Sequence, residues 1–275
     1  MKNWILLLCL ACTLQASAQQ AYQTDKDIAY YADSVSRKDA YIASQCKLDC
    51  YYPKGKTGYA TIVWFHGGGL TGGNKHIPEY LTGKGYAVIA VGYRFSPRAK
   101  APAYIEDAAA AVAWVFKNIS RFGGDPAKIF VTGHSAGGYL GMMIGLDKKY
   151  LKKYAIDADS IAGLIPFSGQ AITHFTIRQE RGIPEKQPTI DEYAPLYHVR
   201  ADAPPMLLIT GDRELELLGR YEENAYLARM MKLAGHKRTR LLELDGFDHG
   251  TMVEPSLPLL LREINTILQQ RSGKK

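Results

Sequence analysis

From about residue 45 onward, short apolar runs alternate with longer stretches of helical spacing. Ala60-Thr61-Ile62-Val63-Trp64-Phe65 and Pro205-Met206-Leu207-Leu208-Ile209 are almost continuously apolar, the pattern of strands covered on both faces. The same reading places strands at 48–52, 60–65, 87–93, 128–131, 161–166, 206–210 and 240–244. Helices are predicted at 105–119, 137–146 and 222–233, with a closing one at 257–269. Strands alternating with helices imply an α/β fold, a mostly parallel central sheet with helices on both faces. The rhythm breaks over 170–197, where Pro184, Pro188 and Pro195 stand among many charges, and we expect a small cap insertion there. No internal repeat or low-complexity linker divides the chain, so residues 19–275 are read as one domain.

The first eighteen residues have a different pattern. Lys2 precedes an apolar run from Trp4 to Leu14, and Ala16-Ser17-Ala18 is an A-x-A cleavage site. The run is too short to span a bilayer, so a cleaved signal peptide and an exported, periplasmic or extracellular protein are expected, without stable membrane insertion. Cys46 and Cys50 then remain as the only cysteines. Four strand steps would separate them by about 13 Å, and a disulfide tolerates less than about 7 Å. Two free, packed thiols follow.

The 275 residues are 47% hydrophobic and 22% charged, as in a globular protein. Net charge is +7, about +6 once Lys2 is removed, but the basic residues are scattered. The local run Lys148-Lys149 and Lys152-Lys153 reads as a solvated helix end. No basic stripe interleaved with aromatics points to nucleic acid.

The chemistry gathers at one edge of the expected sheet, because ligands of open parallel sheets bind beyond the carboxyl ends of the strands. Gly133-His134-Ser135-Ala136-Gly137 lies between the strand at 128–131 and an apolar helix. Strand, sharp turn and helix are the setting of a G-x-S-x-G nucleophile elbow. A serine hydroxyl needs a base within hydrogen-bond reach. Of seven histidines, His249 follows the last strand on a glycine-bounded loop. His236 precedes that strand, and His134 is expected to point away from the nucleophile. Thr210-Gly211-Asp212-Arg213-Glu214 offers two acids to orient the imidazole, Glu214 and, as the alternative, Asp212. His66-Gly67-Gly68-Gly69 leaves the buried strand at 60–65 on the same edge. The amides of Gly68, Gly69 and Ala136 can there hold an oxyanion.

These stretches, with Tyr93-Arg94, Asp107 and His249-Gly250, resemble the α/β-hydrolase fold over nearly the whole chain from residue 48. The resemblance is to its HGGG-bearing serine esterases, the hormone-sensitive-lipase-like carboxylesterases and bacterial feruloyl and acetyl-xylan esterases. It implies a serine esterase acting through an acyl-Ser135 intermediate, with His249 as base and then acid and no cofactor or metal. It also implies an Arg94–Asp107 buttress and a structural His66. In these families the acid, usually an aspartate, commonly stands three residues past a small residue ending the strand, which points to Glu214 and, because this position is a glutamate here, keeps Asp212 as the alternative. The expected substrate is a small or glycan-linked ester, such as an acetyl or feruloyl ester of plant polysaccharide. An amide hydrolase with the same triad and a catalytically idle binding module are the competing readings. His174, Phe175, Arg178 and Arg181 of the insertion are candidates to line the cleft.

Overall fold

The computed structural model describes residues 21–184 and 186–273; the signal peptide expected at 1–18 lies outside the described residues. Eight strands form one sheet in the order β1-β2-β4-β3-β5-β6-β7-β8. They are β1 (Tyr22–Ala29), β2 (Lys47–Pro53), β3 (Tyr59–Phe65), β4 (Ala87–Val91), β5 (Gly124–His134), β6 (Gly163–Phe167), β7 (Met206–Gly211) and β8 (Thr239–Leu244). β1 pairs with β2, and β2 with β4, antiparallel; every other pairing is parallel. The helices are α1 (Asp33–Ser36), α2 (Ala40–Gln45), α3 (Ala103–Asn118), α4 (Ala136–Leu146), α5 (Lys149–Lys152), α6 (Phe175–Glu180), α7 (Arg220–Leu233) and α8 (Val253–Ser272).

Strand alternation sorts the core into two layers. On β3, Val63 and Phe65 pack with residues of α3, α4 and α7, among them Val112, Leu140 and Leu227. Ile62 and Trp64 face the other way, against Leu257, Leu260 and Ile264 of α8. All seven strand regions expected from the apolar runs are present. The addition is β1, an edge strand whose exposure pattern carries no period of two.

Cys46 and Cys50 are both free and buried. The lysine run at α5 is held by intramolecular pairs. Lys148 meets Asp157, Asp159 and Asp202; Lys149 meets Asp147 and Glu192; Lys153 meets Glu106. Among the described residues no helix is long and apolar enough to cross a membrane.

The parallel strands β3, β5, β6, β7 and β8 end on a common edge, so the loops that follow them meet there. The insertion crosses the same edge. Its Thr176 hydroxyl donates to the Gly69 carbonyl, and the Leu196 amide donates to the Ala171 carbonyl at 2.9 Å.

Candidate active site

β5 ends at His134 and α4 begins at Ala136, leaving Ser135 alone in the turn at φ 54° and ψ −116°. A side chain held at positive φ costs of order 1–3 kcal/mol and persists only where its surroundings fix it. The fixing contacts are clear. The Ser135 amide donates to the Phe167 carbonyl at 2.8 Å, and its carbonyl accepts from the Tyr139 amide at 2.9 Å. The Phe65 carbonyl sits against Gly133 and Gly137, where a Cβ at either position would collide with it. Both flanking glycines are therefore steric requirements of the turn.

His249, from the loop after β8, places Nε2 2.9 Å from the Ser135 Oγ. Its Nδ1 lies 2.8 Å from Oε2 of Glu216, whose side chain is fully buried. This corrects the acid expected from the sequence. Neither Glu214 nor Asp212 reaches the imidazole. Past β7 the chain turns so that the Leu215 and Glu216 amides both donate to the Asp212 carbonyl, at 3.0 and 2.8 Å. That turn leaves Glu214 exposed and carries Glu216 back under the strand end, where the Gly211 amide donates to its Oε1 at 3.0 Å. The Asp212 carboxylate is occupied as a brace, accepting from the Glu214 amide at 2.9 Å and the Gly246 amide at 2.8 Å. Burial raises the Glu216 pKa, but hydrogen bonds with His249 and Ser168, the charge of His249 and the Gly211 amide outweigh it and hold the group down at about 2. A signal for Glu216 existed in the sequence. An aspartate just past a strand end is a turn-capping residue, and the acid four positions later returns over it.

His134 also departs from expectation. Rather than pointing away, its Nε2 lies 2.7 Å from the His249 carbonyl and its ring stands 4.6 Å from the His249 ring. Burial pushes its pKa down to about 4, with the neighbouring His249 adding to the shift. A neutral imidazole there donates to the His249 backbone without adding charge beside it. Ser168, after β6, was not anticipated at all; its Oγ lies 3.0 Å from the His249 Nδ1.

The glycine loop after β3 lies alongside the elbow. A Cβ built on Gly67 would stand 3.1 Å from the His134 Nδ1 and 3.5 Å from the Ser135 Cβ. Gly68 and Gly69 hold φ of 116° and 63°, conformations that favour glycine. Ala136 is the first residue of α4, so its amide has no partner within the helix. His66 stacks on Tyr93 at 4.5 Å and places Nδ1 2.6 Å from the Gly67 carbonyl. Burial pushes its pKa down to about 4, against the pull of that carbonyl. Arg94 and Asp107 pair through two side-chain bonds, Nε to Oδ2 at 2.8 Å and Nη2 to Oδ1 at 2.7 Å. The Arg94 amide adds a third at 3.0 Å, tying the loop after β4 to α3.

Of the four insertion candidates, Phe175 alone borders the glycine loop; its ring tip is 3.0 Å from where a Gly69 Cβ would sit. His174 is buried and caps α6, accepting from the Thr176 amide at 3.2 Å. Arg178 is buried and donates to the Thr173 and Gln187 carbonyls. Arg181 pairs with Asp191 at 2.7 Å and stacks on Tyr193. These three hold the insertion together.

Sheet order, elbow and converging loops define the α/β-hydrolase fold. Within it the chain belongs to the BD-FAE family, whose profile matches residues 48–217. A probable carboxylic ester hydrolase, LipM of Mycobacterium tuberculosis, is 31% identical over 180 residues, 56% of this chain and 41% of the relative. Esterase LipC of the same organism is 27% identical over 69% of this chain and 52% of its own length. The chain thus spans about half the length of these relatives. Among solved structures, Thermogutta terrifontis esterase 2 phosphoramylated by tabun is 26% identical with a TM-score of 0.65, covering 82% of this chain and 84% of that one. Esterase B from Lactobacillus rhamnosis, at 18% identity, shares the fold with a TM-score of 0.72 over 92% and 89% of the two chains.

Proposed function

We propose that the protein is a serine carboxylic-ester hydrolase in which Ser135 is the nucleophile, His249 the general base and acid, and Glu216 the orienting carboxylate. The observation that carries this reading is the continuous line from the Ser135 Oγ through His249 to Glu216, with contacts of 2.9 and 2.8 Å. The esterase names of the relatives support it. So does the esterase 2 neighbour, which is phosphoramylated by tabun.

In this mechanism His249 Nε2 takes the Ser135 proton as Oγ attacks the ester carbonyl, and Glu216 stabilises the imidazolium. The oxyanion is held by the amides of Gly68, Gly69 and Ala136, each donor contributing about 3 kcal/mol. His249 then protonates the leaving alcohol, giving acyl-Ser135. Water, deprotonated by the same imidazole, attacks the acyl carbon and releases the acid and the free serine. Each proton removed is returned, so no net acid or base is consumed.

The finer reading is an exported enzyme acting on acetyl or feruloyl esters of plant polysaccharide. The leader pattern at residues 1–18 supports export. The Phe175 ring beside Gly69 supports a flat acyl group in the cleft.

The test is a hydrolysis panel of p-nitrophenyl acetate, methyl ferulate, acetylated xylan and formyl amides, with fluorophosphonate labelling. We expect ester turnover and a covalent adduct that both vanish in Ser135→Ala. Amide turnover without ester turnover would move the assignment to amide hydrolysis. Absence of both turnover and adduct would leave the fold as a binding module.

A further inference from the structure

The two-step reaction leaves a buried polar pair unused behind the imidazole. Ser168 follows β6, is fully buried, and holds φ 47°, a backbone conformation that favours glycine. Its amide donates to the Ile209 carbonyl at 2.7 Å. Its Oγ lies 3.0 Å from the His249 Nδ1, the same atom that meets the Glu216 Oε2 at 2.8 Å. Behind it stands Arg220, the first residue of α7, only 2% exposed. Its Nη1 donates to the Ser168 carbonyl and lies 3.4 Å from the Ser168 Oγ. The Arg220 Nε has no hydrogen-bond partner.

Donor counting fixes the direction of these bonds. Arg220 can only donate, and a neutral His249 whose Nε2 accepts from Ser135 carries its hydrogen on Nδ1. That one hydrogen is shared between the Glu216 Oε2 at 2.8 Å and the Ser168 Oγ at 3.0 Å, so the Ser168 oxygen accepts from Arg220 and in part from His249, and its own hydrogen is free for the Glu216 carboxylate. A closed triangle of His249, Glu216 and Ser168 results, anchored on a guanidinium.

We propose that Ser168, held by Arg220, is a positioning residue for the His249–Glu216 couple. It locks the Nδ1–H tautomer, so that the Nε2 lone pair faces Ser135, and it keeps the carboxylate in the plane of the ring. The proposal rests on the ester-hydrolase reading above. It adds a fourth side chain to the machinery, acting through His249 and Glu216 without touching substrate.

The test uses the full chain with Ser168→Ala and Ser168→Gly. Glycine relaxes at φ 47°, so Ser168→Gly keeps the fold even if alanine does not. On p-nitrophenyl acetate we expect both to lose about tenfold to a hundredfold in kcat, the range of a hydrogen bond to a charged group, with KM within about twofold. The downfield ¹H resonance of His249 Nδ1–H, assigned by its absence in His249→Ala, should shift in both variants. That resonance reads the contact whichever ester is the physiological substrate. If Ser168 serves only to fit the turn, Ser168→Gly will keep wild-type kcat and an unmoved resonance, which overturns the proposal. A loss confined to KM overturns it equally. Failure of the ester-hydrolase reading looks different: the wild type would then show no ester turnover that depends on Ser135.

Discussion

The Glu216 amide donates to the Asp212 carbonyl at 2.8 Å, and this one bond decides which acid faces the imidazole. Three acids lie within five residues, yet the turn buries only the last of them. Asp212 is held in the turn as a brace and Glu214 is turned to solvent. Glu216→Gln should therefore lower kcat by roughly 10³–10⁴, the scale set by loss of a triad carboxylate. Glu214→Gln should change kcat and Tm very little, as expected of an exposed side chain. Asp212→Asn, which weakens the bond to Gly246, should cost stability more than it costs turnover in the folded enzyme. Steady-state kinetics and thermal melts on the three variants check the ordering. A Glu214→Gln enzyme as impaired as Glu216→Gln would contradict it.

The elbow predicts a trade between stability and activity. Ser135 carries a backbone strain that glycine would not feel. Ser135→Gly should abolish turnover while raising unfolding stability by about 1 kcal/mol, the strain relieved less the entropy glycine gains when unfolded. Gly137→Ala should do the opposite to the fold, because its Cβ meets the Phe65 carbonyl and the Phe65 backbone cannot move without disturbing β3. Urea unfolding of both variants gives the two signs directly.

What could be read from residues alone depended on how strongly the environment selects them. β3 and β7 sit between helical layers, so burial on both faces demanded continuous apolar runs. β1 sits at the edge, paired on one side only, and its register shifts between Asp25 and Ile28. Nothing selected a period of two there, and the strand was not legible. Ser135 and His249 were legible because glycine-bounded loops after parallel strands must meet at one edge. Glu216 left only the faint mark of a turn-capping aspartate with an acid four positions on, since its place depends on a turn that brings back the fourth residue past Asp212 instead of the second. Ser168 is a lone serine whose role comes only from strand order, which sets β6 between β5 and β7.

Four histidines whose pKa burial lowers, His66, His134, His174 and His236, link stability to pH. Burial lowers both His66 and His134 to about 4 from an ordinary value near 6.5. Their folded pKa is depressed, so this contribution is complete above pH 6.5 and is lost as pH falls towards 4, while the unfolded chain takes up protons that the folded one refuses. His66 and His134 each contribute about 3 kcal/mol at most across that window. Glu216, held near 2, adds a separate loss between about pH 4.5 and 2. The urea midpoint should therefore drop clearly between pH 7 and pH 4.5, and less steeply in His66→Gln. A midpoint unchanged across that interval would mean that these rings take up protons in the folded protein as readily as in the unfolded one.

If the proposed esterase reading holds, Phe175 is the insertion side chain we expect to sense the acyl group. It is half-buried and its ring tip approaches Gly69, beside the proposed oxyanion donors. α6 is tied to that loop independently, through the Thr176 hydroxyl donating to the Gly69 carbonyl, so Phe175→Ala should empty one wall without releasing the loop. An acetyl group is too small to use the wall, whereas an aromatic acyl group can stack on it at about 0.5–1.5 kcal/mol beyond area burial. We expect kcat/KM for methyl ferulate to fall about tenfold, mostly through KM, while p-nitrophenyl acetate changes less than about twofold. Equal losses on both esters would assign Phe175 to supporting the glycine loop. No loss on either would place the acyl group on the opposite side of Ser135.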